Sequence, residues 1–89
     1  MTREELTTAG ERLREATSGT TGEATDRLES LAEQLETLAD RERPPDHGRL
    51  ARIESALADV QAEAGEDVTA TISEALDDIH AFRETIDGV

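Results

Sequence analysis

The chain is 89 residues long and carries 22 Asp and Glu against nine basic residues, a formal net charge of −13. All nine basic residues are Arg; Lys and Cys are missing, and Phe82 is the single aromatic. The composition leaves no disulfide frame and no thiolate zinc site, and no run of about 18 apolar residues that could span a bilayer.

One small domain, residues 1–89, is expected. A chain of this size buries only about 60–65% of its unfolded surface, and here Leu, Ile, Val and Ala must fill the core. Small faces of that kind suit closely packed helices. A surface this acidic repels itself at low ionic strength and is relieved in molar salt, where the Debye length falls to about 3 Å. Arg without Lys fits the same setting, because the guanidinium is weakly hydrated and pairs well with carboxylates. The expectation is a salt-adapted protein of a halophilic archaeon. Met1-Thr2-Arg3-Glu4-Glu5 lacks the charged-then-apolar layout of a signal peptide, which places the chain in the cytoplasm.

In chain order, Thr2 and Glu5 read as a capping box opening a weak helix over 2–18, with Leu6, Ala9, Leu13 and Ala16 on one face. Thr17-Ser18-Gly19-Thr20-Thr21-Gly22 is the poorest helix-forming stretch. It predicts a break, with a second capping box from Thr20 to Glu23. The next helix, 21–43, carries Ala24, Leu28, Leu31, Leu35 and Leu38 at heptad spacing, widened by Ala32 and Ala39. Pro44-Pro45 stops it. Asp46 is the expected N-cap of a helix over 46–64, with Leu50, Ile53, Leu57, Val60 and Ala64 on its face and Gly65 as C-cap. Asp67 caps the last helix, 67–87, striped by Val68, Ile72, Ala75, Ile79, Phe82 and Ile86 and widened by Leu76.

The pattern therefore predicts an all-α fold: an antiparallel, coiled-coil-like three-helix bundle behind a looser N-terminal helix. That first helix is either separate or, if Gly19 and Gly22 are tolerated, continuous with the next. A continuous arm would expose Leu6 and Leu13 and require a partner chain.

Chemistry is sparse. Asp77-x-x-His80 is half of a carboxylate–His spacing used in di-metal bundles, but one such motif among apolar stripes does not make a metal site. No Ser has a His at helical spacing, and there is no GxGxxG, P-loop or HExxH pattern. No catalytic residue, no cofactor and no enzyme activity are expected. His47, Gly48, Arg49 and Arg52, at the start of a helix, form a candidate anion or nucleotide site. The scattered Arg residues give no basic stripe for direct binding of nucleic acid. An acidic rod could instead mimic it.

His47-Gly48-Arg49-Leu50, the Leu50/Ile53/Leu57 stripe, Gly65-Glu66-Asp67-Val68 and Ile79-His80-Ala81-Phe82-Arg83-Glu84 together resemble a family of small haloarchaeal proteins, a domain of unknown function. The resemblance implies a cytosolic helical protein and carries no catalytic or ligand residues. The function expected from the residues is a non-enzymatic helical interaction or structural module. Its partner is another protein or a second copy, a homodimer foremost, with no membrane involved. The expected contact residues are Leu6, Leu13, Leu28, Leu31, Leu35 and Leu38. The alternatives are a small anion- or nucleotide-binding regulator using the 47–52 turn, and an acidic mimic of nucleic acid.

Overall fold

A computed structural model describes residues 4–41 and 47–85. Four α-helices follow one another: α1 (Glu4–Ala16), α2 (Gly22–Asp40), α3 (His47–Glu63) and α4 (Glu66–Thr85), with a 3-10 turn at Thr17–Gly19 between the first two. No strand occurs among the described residues. The Thr2 cap, the Pro44-Pro45 stop, the Asp46 cap and Ile86 lie outside the described residues.

The helices are arranged as a closed ring. α1 packs on α2 and α4, α3 packs on α4 and α2, and the backbones of the two diagonal pairs stay apart across the core. This replaces the expected three-helix bundle with its loose N-terminal helix. α1 makes the most extensive contacts of any helix, and Leu6, Ala9 and Leu13 are fully buried. The reason lies in small residues. A Cβ placed on Gly10 would sit 3.1 Å from Glu36 Cγ and 3.3 Å from the Ala32 carbonyl oxygen. The missing side chain lets α1 approach the α2 backbone closely enough for two leucines to reach the core. Burying each leucine is worth roughly 1.5–3 kcal/mol, enough to offset the poor spread of large side chains along this helix.

The predicted break between the first two helices is real, and its own side chains hold it. Thr17 Oγ1 donates to the Arg14 carbonyl at 2.6 Å and Ser18 Oγ to the Glu15 carbonyl at 2.9 Å. Thr20 donates to the Thr17 carbonyl through both its backbone N–H and its hydroxyl. The carbonyls that a helix end leaves without partners are thus satisfied locally. Gly22 then turns the chain into α2 at φ +60°, in the left-handed region that favours glycine. The capping box from Thr20 to Glu23 does not form. Thr21 is the N-cap and makes no side-chain cap bond, while the Thr20 hydroxyl meets that of Thr25 at 2.7 Å.

α2 ends at Asp40, with Arg41 already extended, three residues short of the expected end. Arg41, at φ −72° and ψ 149°, lies outside the helical region, so the ladder stops there. Between α3 and α4 the Gly65 carbonyl accepts the first bond of α4 from the Thr69 N–H at 2.9 Å. Gly65, not Asp67, therefore occupies the N-cap position, and Asp67 joins Glu66 in the first turn, where carboxylates suit the helix dipole. Gln61 clasps this turn by donating to the Thr69 carbonyl at 3.1 Å and to Ser73 Oγ at 3.0 Å.

The four apolar stripes meet in one core of Leu, Ile, Val and Ala closed by Phe82, with no buried polar or charged residue among the described ones. Gly10→Leu should force α1 off α2 and lower unfolding free energy by about 1–3 kcal/mol. Gly65→Ala, whose new Cβ would meet nothing within 4 Å, should shift it by less than about 1 kcal/mol. Urea unfolding followed by circular dichroism reads both.

Candidate functional site

α3 divides its surface into four stripes, each with spacing of three and four residues or of seven. Leu50, Ile53, Leu57 and Val60 face the core. His47, Glu54 and Gln61, seven residues apart, meet α4. Arg49, Arg52 and Ala56 line a groove beside α2. Gly48, Ala51, Ser55, Ala58 and Ala62 are exposed on the outside.

On the α4 side the polar residues form one cluster. Arg83 Nη1 donates to Glu54 Oε1 at 2.6 Å, and Arg83 Nε donates to His47 Nδ1 at 3.1 Å. Accepting at Nδ1 places the proton of neutral His47 on Nε2, which is buried without a hydrogen bond. His80 Nε2 lies 3.2 Å from Glu54 Oε2, off the line of a hydrogen bond, and becomes an ion-pair partner when it carries a proton. His80 thus meets Glu54 directly and His47 is linked to it through Arg83; the Glu54 side chain is 15% exposed. His80 looks across to α3 for its carboxylate, not along its own helix to Asp77. Among the described residues no three His, Asp or Glu side chains gather in a way that could hold a metal ion.

Among the described residues, an arginine crosses each seam of the ring. Arg12 bridges α1 to α4 through Asp78 at 2.8 Å and Glu74 at 3.2 Å. Arg14 bridges α1 to α2 by a two-pronged pair with Glu36 at 2.8 and 2.7 Å. Arg83 bridges α4 to α3, and Arg27 bridges α2 to α3 through Asp59 at 3.9 Å. The hydrogen bonds from Arg14 hold the Glu36 carboxyl below its ordinary value, outweighing the partial burial that pushes it up. The hydrogen bonds to Asp78 and Glu36 hold Arg12 and Arg14 above theirs.

The 3.9 Å span belongs to the seam between α2 and α3, which is also the least extensive helix contact. A shallow groove follows it. One part is lined by Leu31, Gln34, Arg49, Arg52, Ile53 and Ala56, and the next by Asp26, Arg27, Ser30, Leu31 and Ala56. At the far end a cleft of 280 Å³ opens between the Gly19–Ala24 turn and the Val60–Gly65 end of α3.

The expected anion site is split by this arrangement. His47 sits with Arg83 and His80 on the α4 side, whereas Arg49 and Arg52 border the α2 groove and Gly48 is exposed on the outer face. Of the six expected contact leucines, Leu6, Leu13, Leu28 and Leu35 are fully buried and Leu38 is 2% exposed inside the chain's own core. Leu31, at 7%, reaches the groove. The Glu54 cluster was not foreseen. Its signal was the seven-residue recurrence of His47, Glu54 and Gln61, a polar stripe along the edge of an apolar one.

No helix among the described residues is long and apolar enough to cross a membrane. Fold and surface together define a small acidic all-helical protein held at its seams by arginine–carboxylate pairs. The chain belongs to a family of unknown function, DUF7553, whose model matches residues 1–85. No curated protein and no solved structure matches it.

Two substitutions separate the pairs by burial. Glu54→Ala strips Arg83 of its carboxylate and should cost about 1–3 kcal/mol. Glu36→Gln acts on a pair open to solvent and should cost no more than about 1 kcal/mol. The contribution of Glu36 is present above the ordinary carboxylate range, about pH 4.3, and is lost as pH falls through its lowered folded value. Urea midpoints from pH 7 down to pH 2 should therefore fall less steeply at the acid end for Glu36→Gln than for the parent chain.

Proposed function

We propose that this chain is a non-enzymatic helical interaction module that self-associates in the high-salt cytoplasm of a halophilic archaeon. Its four helices run alternately up and down. The reversed order of facing residues across one seam supports that direction: Arg27 is opposite Asp59, Leu31 lies by Ala56, and Gln34 lies by Ile53 and Arg52. The absence of Lys and the charge of −13 support the saline setting.

The observation that carries the reading is the seam between α2 and α3. Three seams are closed by extensive packing or short ion pairs. The fourth has the fewest contacts, the longest ion pair and an apolar floor at the surface. A helical protein meets partners through such a face. The proposed contact surface therefore shifts from Leu6 and Leu13, now within the core, to Leu31 and the exposed side of α3.

Light scattering behind size exclusion in about 2 M KCl, where screening is short-ranged, tests the reading. The expected mass is twice the 9.7 kDa of one chain, decreasing on dilution. A concentration-independent mass of one chain up to the highest soluble concentration would contradict self-association.

A further inference from the structure

Arg49, Arg52, Ala56, Asp59 and Glu63 stand at spacings of three, four, three and four residues. On a helix this puts them in one line. The line runs beside the α2 groove, one position away from the core stripe, and its four charged members are exposed. Its charges read plus, plus, neutral, minus, minus. Reversed, the same line reads as its own complement about Ala56.

We infer that α3 is a self-recognition helix: it pairs with α3 of a second copy, running in the opposite direction, about a two-fold axis that passes between the two helices at the level of Ala56. This rests on the self-associating reading above and names its face and register. At about 1.5 Å rise per residue, Arg49 and Glu63 lie about 10 Å on either side of Ala56. The reversed copy therefore sets Arg49 against its Glu63 and Arg52 against its Asp59, twice each by symmetry. Such an isologous contact closes on itself and stops at two chains. A parallel arrangement would set arginine against arginine and carboxylate against carboxylate.

Two further features fit a second copy. The neighbouring outer line, Gly48, Ala51, Ser55, Ala58 and Ala62, has no large side chain, so a partner helix can come close without collision. Leu31 and Ile53 in the adjoining groove supply apolar floor. Arg27 reaches Asp59 only at 3.9 Å, and the Asp59 side chain is 70% exposed. That carboxylate is open to a guanidinium from outside. Arg52 of the second copy supplies one. In a chain of charge −13, two exposed arginines one helical turn apart beside the α2 groove are complementary to another copy's carboxylates.

The test is a charge exchange in about 1 M KCl, where the Debye length of about 3 Å leaves only contacting pairs to act. Arg49→Glu with Arg52→Glu makes one variant, and Asp59→Arg with Glu63→Arg makes the other. Each alone should dissociate at least tenfold more readily than the parent chain, a loss of about 1.4 kcal/mol or more. Mixed in equal amounts, they should form a one-to-one dimer of parent-like affinity, because both kinds of contact are restored. Ala56→Glu, at the two-fold axis, should weaken the dimer independently and unchanged helix content should accompany it. Ala70→Glu with Ala81→Glu, on exposed α4 positions, should leave the dimer intact.

A parent chain that stays monomeric would overturn the self-associating reading and this one together. A parent dimer that survives both charge reversals and Ala56→Glu would overturn the α3 register alone. So would reversals that weaken the dimer without rescue on mixing.

Discussion

The constraint on which the rest of the structure depends is the shortage of large side chains. With one Phe and one Met, the core cannot be filled by bulk and must be filled by bringing helices together. Gly10 against the Ala32 carbonyl is the tightest case. The small residues Ala9, Ala16, Ala32 and Ala75, all buried, extend the same principle around the core. Close packing of this kind recovers dispersion contacts that a looser arrangement would lose. It also requires α1. Without Leu6 and Leu13 the remaining three helices would leave one side of the core, and the flanks of α2 and α4, open to water.

Charge takes a secondary but ordered part. The arginines whose partners are resolved do not decorate the surface at random; Arg12, Arg14, Arg27 and Arg83 each cross a different helix boundary. Exposed pairs of this kind contribute little to stability one at a time. Their placement acts on specificity, because a helix docked in the wrong register would set carboxylate against carboxylate on so acidic a chain. The α3 pairing proposed above would apply the same logic between chains. Guanidinium suits the helix seams because it pairs with carboxylates in a fixed planar geometry.

Much of the fold was legible in the sequence. The stripes of α2, α3 and α4 were read residue by residue and supply most of the buried core. The break at Thr17–Gly22 was read from its Thr and Gly content, although the expected capping box was replaced by hydroxyls turned back onto the preceding carbonyls. α1 was misjudged because its stripe was counted in large side chains. The structure counts space instead: Gly10, with no side chain, lets α1 approach the α2 backbone and seats it. The C-terminal boundary of α2 and the cap of α4 differ from expectation by a few residues, set by the extended Arg41 and by the Gly65 carbonyl that accepts from Thr69. Of the candidate site, His47 and the arginines were picked out as a local group. Their separation onto two sides of α3 depends on which neighbour each side meets, and helical spacing alone does not supply that. Arg83 and Glu54 are 29 residues apart, and only the docking of α4 on α3 brings them together.

The central claim is that α1 is an integral wall of a four-helix core. Native-state hydrogen exchange of the α1 amides, compared with those of α2 and α4 under increasing urea, addresses it most directly. The account predicts that Ala9, Gly10 and Leu13 exchange only through the same global opening as Leu35 and Ile79, with the same free energy and the same urea dependence. Exchange of α1 through a separate, lower-energy opening that leaves the other three helices protected would contradict it.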